Sequence, residues 1–337
     1  MEIYDVFPLA TTAQTISVTL LNSGPMQSST RAVIVMGIMF CAAQIGAMLM
    51  VSSVLGEEYQ AFENPNDPLI PIYYLAAIVL FTLLVLYIIK KKRENLVKVI
   101  FLGAVAYTMF LVLWLVLAEF TADIGDGAFA FFGALGLTGV LTYCLVKKPE
   151  WYVIDATGLL VATGVIGILG ISLQILPVMV LLVALAVYDA ISVYGTKHMV
   201  ALADGVTQMK LPILLVIPKK LGYSYLKQRP LREEIEEKRE RDAMFMGLGD
   251  IIIPGVLISS AFYCLSDEAV AGLPGNLLVA LGAMAGALLG FAILMRFVLR
   301  GNPQAGLPLL NGGVVAGYVV AYLLVFGDAS LGMTIPW

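Results

Sequence analysis

Residues 173–195 read LQILPVMVLLVALAVYDAISVYG, an apolar run in which Asp189 is the single charged side chain. A stretch of this length and apolarity crosses the hydrocarbon core of a bilayer as one helix. A carboxyl buried there costs about 2.5 to 3.5 kcal/mol near the membrane centre even on the lenient insertion scale, so it marks a functional site. Working outward, apolar runs between charges give nine spans, at 31–54, 68–89, 96–118, 127–146, 152–170, 173–195, 243–265, 274–299 and 306–326. Between the fifth and sixth only Gly170 to Ser172 and Gln174 interrupt the run, which requires a tight turn. Composition agrees, being 60% hydrophobic and 13% charged with a mean hydropathy of +0.92, far from the roughly one-quarter charge of soluble domains. The expected fold is an all-α polytopic bundle. It comprises an N-terminal arm at 1–30, six transmembrane helices over 31–195, a loop at 196–242, and three further helices with a short tail over 243–337.

Positive charges set the orientation, because juxtamembrane Lys and Arg stay in the cytoplasm. All twenty fall on one side: Arg31, then Lys90 to Lys98, then Lys147 and Lys148, then the cluster from Lys197 to Arg241, then Arg296 and Arg300. The alternate loops carry acids only, among them Glu57, Glu119 and Asp267. Nine spans with the N-terminus inside and the C-terminus outside follow, in a multi-pass protein of the cell membrane. The long loop is then cytoplasmic. Its second part, Leu231 to Asp242, is dense in Glu paired with Lys and Arg at helical spacings, which reads as a solvated helix. Its first part, Lys210 to Lys219, is an apolar strip bracketed by Pro212 and Pro218, too short to span. It belongs on the membrane surface or against the bundle.

Several function classes are excluded. The net charge of -4 and the lack of basic clusters interleaved with aromatics argue against nucleic-acid binding. Cys41, Cys144 and Cys264 all lie in apolar runs and the one histidine, His198, is remote from them in sequence, so neither a metal site nor a cysteine nucleophile is expected. With no Lys or Arg before Arg31, a cleaved secretory signal is not expected either.

Three acids sit inside spans: Asp155, Asp189 and Asp250. Asp155 is near the start of the fifth span beside Trp151 and Tyr152, where an anchoring or ion-pair role at the inner interface is expected. Asp189 lies eight residues before Lys197 and Asp250 eight residues after Asp242. Both carboxyls therefore fall at one depth, about 12 Å along a helix from its inner end. Two such groups on neighbouring helices are costly as separate anions and useful as a pair sharing a proton. One acts as base toward water; the other donates to the scissile carbonyl. Gly247-Leu248-Gly249 precede Asp250 without bulk at the two glycines, Pro254 follows one turn later, and Tyr188 precedes Asp189 either to border the site or to fill the bundle. The rival readings are a proton- or cation-translocating transporter or channel using the same acids, and a noncatalytic scaffold. Against transport stand the lack of internal repeats and of further polar residues at that depth.

Tyr188-Asp189 in one span and Gly247-Leu248-Gly249-Asp250 in the next resemble the paired YD and GxGD motifs of the presenilin and signal peptide peptidase family of intramembrane aspartyl proteases. With nine spans and a long loop between the motifs, the resemblance covers the whole architecture. The charge distribution is similar to presenilin orientation, opposite to that of signal peptide peptidases, and the compact chain looks like a microbial homologue of the archaeal kind. The family's Pro-Ala-Leu signature at the ninth span is matched in part by Ala305-Gly306-Leu307-Pro308, with Ala305 in place of proline and Gly306 in place of alanine. The resemblance implies a presenilin-like bundle that cleaves transmembrane peptides with Asp189 and Asp250, with no cofactor and with Tyr188, Gly247, Leu248, Gly249 and residues 305–308 shaping the site. It implies the bilayer and transmembrane substrates as partners, with a homo-oligomer left open. It also implies that the apolar strip borders the site and that an unwound substrate segment pairs with nearby backbone as a strand.

Overall fold

The structure is a computed structural model that describes residues 25–333 apart from 63–64, 66, 68, 92, 123–126, 197–212, 220–221, 228–241, 271 and 301–303. Among the described residues the helices are α1 (Pro25–Ser53), α2 (Ile70–Lys90), α3 (Glu94–Phe120), α4 (Gly127–Lys147), α5 (Trp151–Ser172), α6 (Ile175–Ile191), α7 (Gly249–Cys264), α8 (Gly275–Leu299) and α9 (Leu307–Phe326). Seven of these are long and apolar enough to cross a membrane, while α2 and α7 contain shorter apolar stretches, Ile70–Val85 and Gly249–Cys264. Large apolar side chains turn outward, with Leu324 80%, Phe120 79% and Leu80 70% exposed. Such a surface is stable only against lipid.

The tight turn expected between the fifth and sixth spans is present: α5 stops at Ser172, Leu173 and Gln174 are extended, and α6 starts at Ile175. The N-terminal arm is shorter than expected, since α1 already begins at Pro25; the arm's first 24 residues and the charge-rich stretch 231–241 lie outside the described residues.

The main core joins α1, α5, α6, α7, α8 and α9 around Phe40, Ile166, Leu182, Leu257, Ala283 and Tyr318. Phe40 stacks on Phe291 with ring centroids 6.3 Å apart. The closest helix pair is α8 with α9. A side chain at Gly286 would run into the Gly313 carbonyl, and one at Gly317 into that of Gly282. Without a hydrophobic drive between helices in lipid, close backbone approach through small residues supplies the association, and it fixes the start of α9 where the site is built.

The seventh span departs from the expectation. Residues 243–247, read as the entry of a helix, form a strand, β2 (Ala243–Gly247), antiparallel to β1 (Leu214–Pro218) with Leu214 opposite Gly247 and Pro218 opposite Ala243. The apolar strip is thus built into the bundle: Leu215, Val216 and Ile217 are buried, and no membrane-surface segment remains at these positions. Branched residues favour the extended conformation, and pairing the two segments satisfies backbone groups that neither could satisfy alone in an apolar setting. At 16 residues α7 is about 24 Å long, short of the roughly 30 Å hydrocarbon core, and the five residues of β2 add about 16 Å.

The ladder has a definite polarity. Lys219 N–H donates to Asp242 O and Leu248 N–H to Ile213 O, both at 2.9 Å. Bonded pairs alternate in an antiparallel ribbon, so residues 215 and 217 bond 246 and 244 across it. The backbone groups of Val216 consequently face the outer edge of β1, and those of Ala243, Phe245 and Gly247 the outer edge of β2.

Candidate active site

Asp189 sits in the last turn of α6, after which Ser192–Thr196 continue as a wider π-type turn. Asp250 is the second residue of α7. Eight residues of helix do not separate each acid from the inner end as expected: on the Asp250 side that distance is strand, for the reason just given. Asp189 is buried and Asp250 partly so.

The start of α9 joins them. Leu307 N–H donates to Asp189 Oδ2 at 3.1 Å, and Gly306 N–H is directed at the same carboxyl. On its other side Gly306 faces Asp250: a methyl built on it would lie 3.4 Å from Oδ1 and 3.5 Å from Oδ2. Gly247 contributes from β2, its N–H bonding the Asp250 carboxyl and its α carbon so close that a methyl there would be 3.3 Å from Oδ2. Two carboxyls within electrostatic reach of one another are therefore held by backbone N–H groups from two separate segments. Backbone donors aimed at a carboxylate stabilise it without adding bulk.

The other expected residues take clear places. Ala305 is buried, and its N–H donates to the Tyr194 hydroxyl at 3.4 Å. Pro308 lies in the first turn of α9, where its missing N–H costs nothing. Leu248 is buried against Gly158 of α5, and Gly249 is exposed at the first position of α7. Tyr188 is half-buried, flanking the lipid-facing row Val183, Val187 and Ile191.

Two expectations need correction. Asp155 is not an exposed anchor: it is only 5% exposed, accepting a 2.7 Å hydrogen bond from Val216 N–H. The carboxyl is drawn inward because β1 presents an unbonded edge donor there. Polar residues also occur deeper in the bundle, contrary to the reading of its sequence. Gln44 of α1 is fully buried and donates through Nε2 to Ile251 O at 3.0 Å. Asn311 of α9 is 3% exposed and donates through Nδ2 to Leu182 O at 2.8 Å. Each amide grips a helix that carries one of the acids. Gln44 and Tyr194 were missed because an uncharged residue in an apolar run carries no cost large enough to stand out; Gly255, which leaves the slot that the Gln44 amide fills, was the one available signal.

A family model described as signal-peptide peptidase, presenilin aspartyl protease matches residues 36–327. The chain belongs to this family. It is similar to the structure of a presenilin family intramembrane aspartate protease in space group C222, at 32% identity and a TM-score of 0.63, covering 87% of this chain and 99% of that one. A second structure of a presenilin family intramembrane aspartate protease, in space group P2, matches at 33% identity and a TM-score of 0.59 over 86% and 96% of the two chains. A search of curated proteins found no match. As a member of the presenilin and signal peptide peptidase family, the chain is a multi-pass membrane protein and an intramembrane aspartyl protease. The transporter reading has no support.

Proposed function

We propose that Asp189 and Asp250 are the catalytic pair, one taking a proton from water and the other protonating the carbonyl oxygen of the scissile peptide. The observation that carries this is the Gly306–Leu307 backbone, which bonds one carboxyl and leaves room against the other. Water attacks the carbonyl carbon, the tetrahedral intermediate collapses with cleavage of the C–N bond, and the proton taken from water passes to the leaving amine. No cofactor enters this chemistry. Tyr188, Gly247, Leu248, Gly249 and residues 305–308 shape the site around it.

The substrates are single-span transmembrane peptides of the cell membrane. A helical substrate shields its amides in its own hydrogen bonds and must unwind before attack. The outer edge of β2 supplies a compensating partner, since Phe245 and Gly247 direct backbone groups away from β1 and Gly247 adjoins Asp250. The seventh crossing is made of β2 and α7 together, and with α2 it brings the crossings to nine. The acids then lie toward the cytoplasmic side, where the path for water is short.

The test uses purified full-length protein in bicelles with a single-span peptide, products being identified by mass spectrometry. Asp189→Asn and Asp250→Asn are each expected to lose at least about 10³-fold in rate, within the range for removing a positioned acid or base and its partner's charge state. Cleavage by either variant at the wild-type rate would remove that residue from the pair.

A further inference from the structure

Asp155 is a buried carboxyl that the chemistry does not use. It lies on α5 at one point of a continuous contact between that helix and the loop. At the N-terminus of α5, Glu150 accepts from the Ser224 hydroxyl at 2.7 Å and from Tyr225 N–H at 3.1 Å. Tyr225 is itself buried, which pushes its phenol up to about 12. Further along, Gly158 leaves the space in which Leu215 and Leu248 sit, a methyl there being 3.5 and 3.3 Å from their Cδ2 atoms. Between these two points Asp155 Oδ1 accepts from Val216 N–H.

The ladder polarity gives that bond its meaning. Val216 N–H belongs to the outer edge of β1, which is packed against α5 with Val216 fully buried. Asp155 occupies the donor at the centre of that edge. The other edge, on β2, leads through Gly247 to Asp250. Accepting at 2.7 Å from that donor, the carboxyl fixes β1 against a rigid helix.

We infer that Asp155 is a positioning residue for proteolysis: by pinning the ribbon to α5 it holds the β2 edge in place and sets the register of the substrate strand against Asp189 and Asp250. This rests on the catalytic reading above. It makes the carboxyl's acceptor function, not its charge, the essential property, because Asn presents the same acceptor oxygen to Val216 N–H.

The experiment compares wild type, Asp155→Asn, Asp155→Ala and Asp155→Leu in bicelles, measuring kcat, KM, thermal stability and the distribution of cleavage positions on one single-span peptide. Asp155→Asn is expected to fold, to cleave within about threefold of wild type and to give the same product pattern. Asp155→Ala and Asp155→Leu are expected to lose roughly ten- to hundredfold in kcat/KM, as one unsatisfied buried donor implies, with cleavage shifted by one or more peptide bonds in the remaining activity. A residue that only stabilises the fold lowers the active fraction without moving the cut. An unshifted product pattern in the folded Ala or Leu variant overturns the inference. So does failure of Asp155→Asn to fold or to cleave, which also decides the matter if the other two variants do not fold. Unchanged Asp155 variants alongside inactive Asp189→Asn and Asp250→Asn would refute this role and leave the catalytic pair standing; active Asp189→Asn or Asp250→Asn would refute the pair.

Discussion

Gly306 and Gly247 flank one carboxyl, and the space each leaves can be read as a graded prediction. A methyl at Gly306 lies 3.4 to 3.5 Å from the Asp250 carboxyl, an ordinary van der Waals distance, whereas a methyl at Gly247 lies 3.3 Å from Oδ2, tight enough that the acid must shift by a few tenths of an ångström. Gly306→Ala should therefore fold and retain activity within about threefold of wild type, and Gly247→Ala should lose roughly tenfold, since small displacements of a reacting group are costly. Gly306→Val extends a further bond, about 1.5 Å, beyond that methyl, so any rotamer aimed at Asp250 overlaps the carboxyl. A displacement of about 1 Å costs roughly 10²-fold in rate, and the valine should show at least that loss while thermal stability falls by no more than about 2 kcal/mol. The assay is peptide cleavage in bicelles at saturating substrate, with thermal unfolding of each variant alongside. An active Gly306→Val, or an inactive but folded Gly306→Ala, would refute the placement of Gly306 between the acids.

Phe245→Pro removes an N–H that the ribbon does not use and the β2 edge needs; cleavage should fall about tenfold with the fold intact, whereas Phe245→Ala, which keeps that N–H and loses the side-chain packing, including the ring contact to Tyr225 at 6.4 Å, should remain within threefold. Wild-type turnover by the proline variant would rule out substrate pairing at that edge. Gln44→Met and Asn311→Leu each delete one interhelical hydrogen bond and should destabilise the bundle by about 0.6 to 1.7 kcal/mol in unfolding measurements. A cost of zero for both would mean that neither amide holds its helix.

The parts of this molecule that were legible in its sequence are those where the membrane makes errors expensive. Charge-free runs of about twenty residues have one stable solution in lipid, so the helices appear where hydropathy places them. Asp189 and Asp250 stand out because ionisable groups inside such runs carry a cost that only function repays. The strand at 243–247 was hidden by the same logic. AMFMG is apolar and continues without a break into LGDIII, and an apolar run of five residues fits a helix entry as well as a strand until its partner is known. That partner, 214–218, lies across a loop of more than twenty residues, a distance over which neither segment specifies pairing with the other. Asp155 was misplaced for a related reason. Its position near a helix start beside Trp151 and Tyr152 fits an interfacial anchor, and only the parity of the β1–β2 ladder, which turns Val216 N–H toward α5, explains why the carboxyl is buried. Hydropathy locates a side chain along the membrane normal, but which backbone edge remains open for a substrate depends on a register that no local pattern encodes. At this site the register sets Leu214 opposite Gly247, so the backbone groups of Gly247 turn away from β1 and its N–H meets the Asp250 carboxyl.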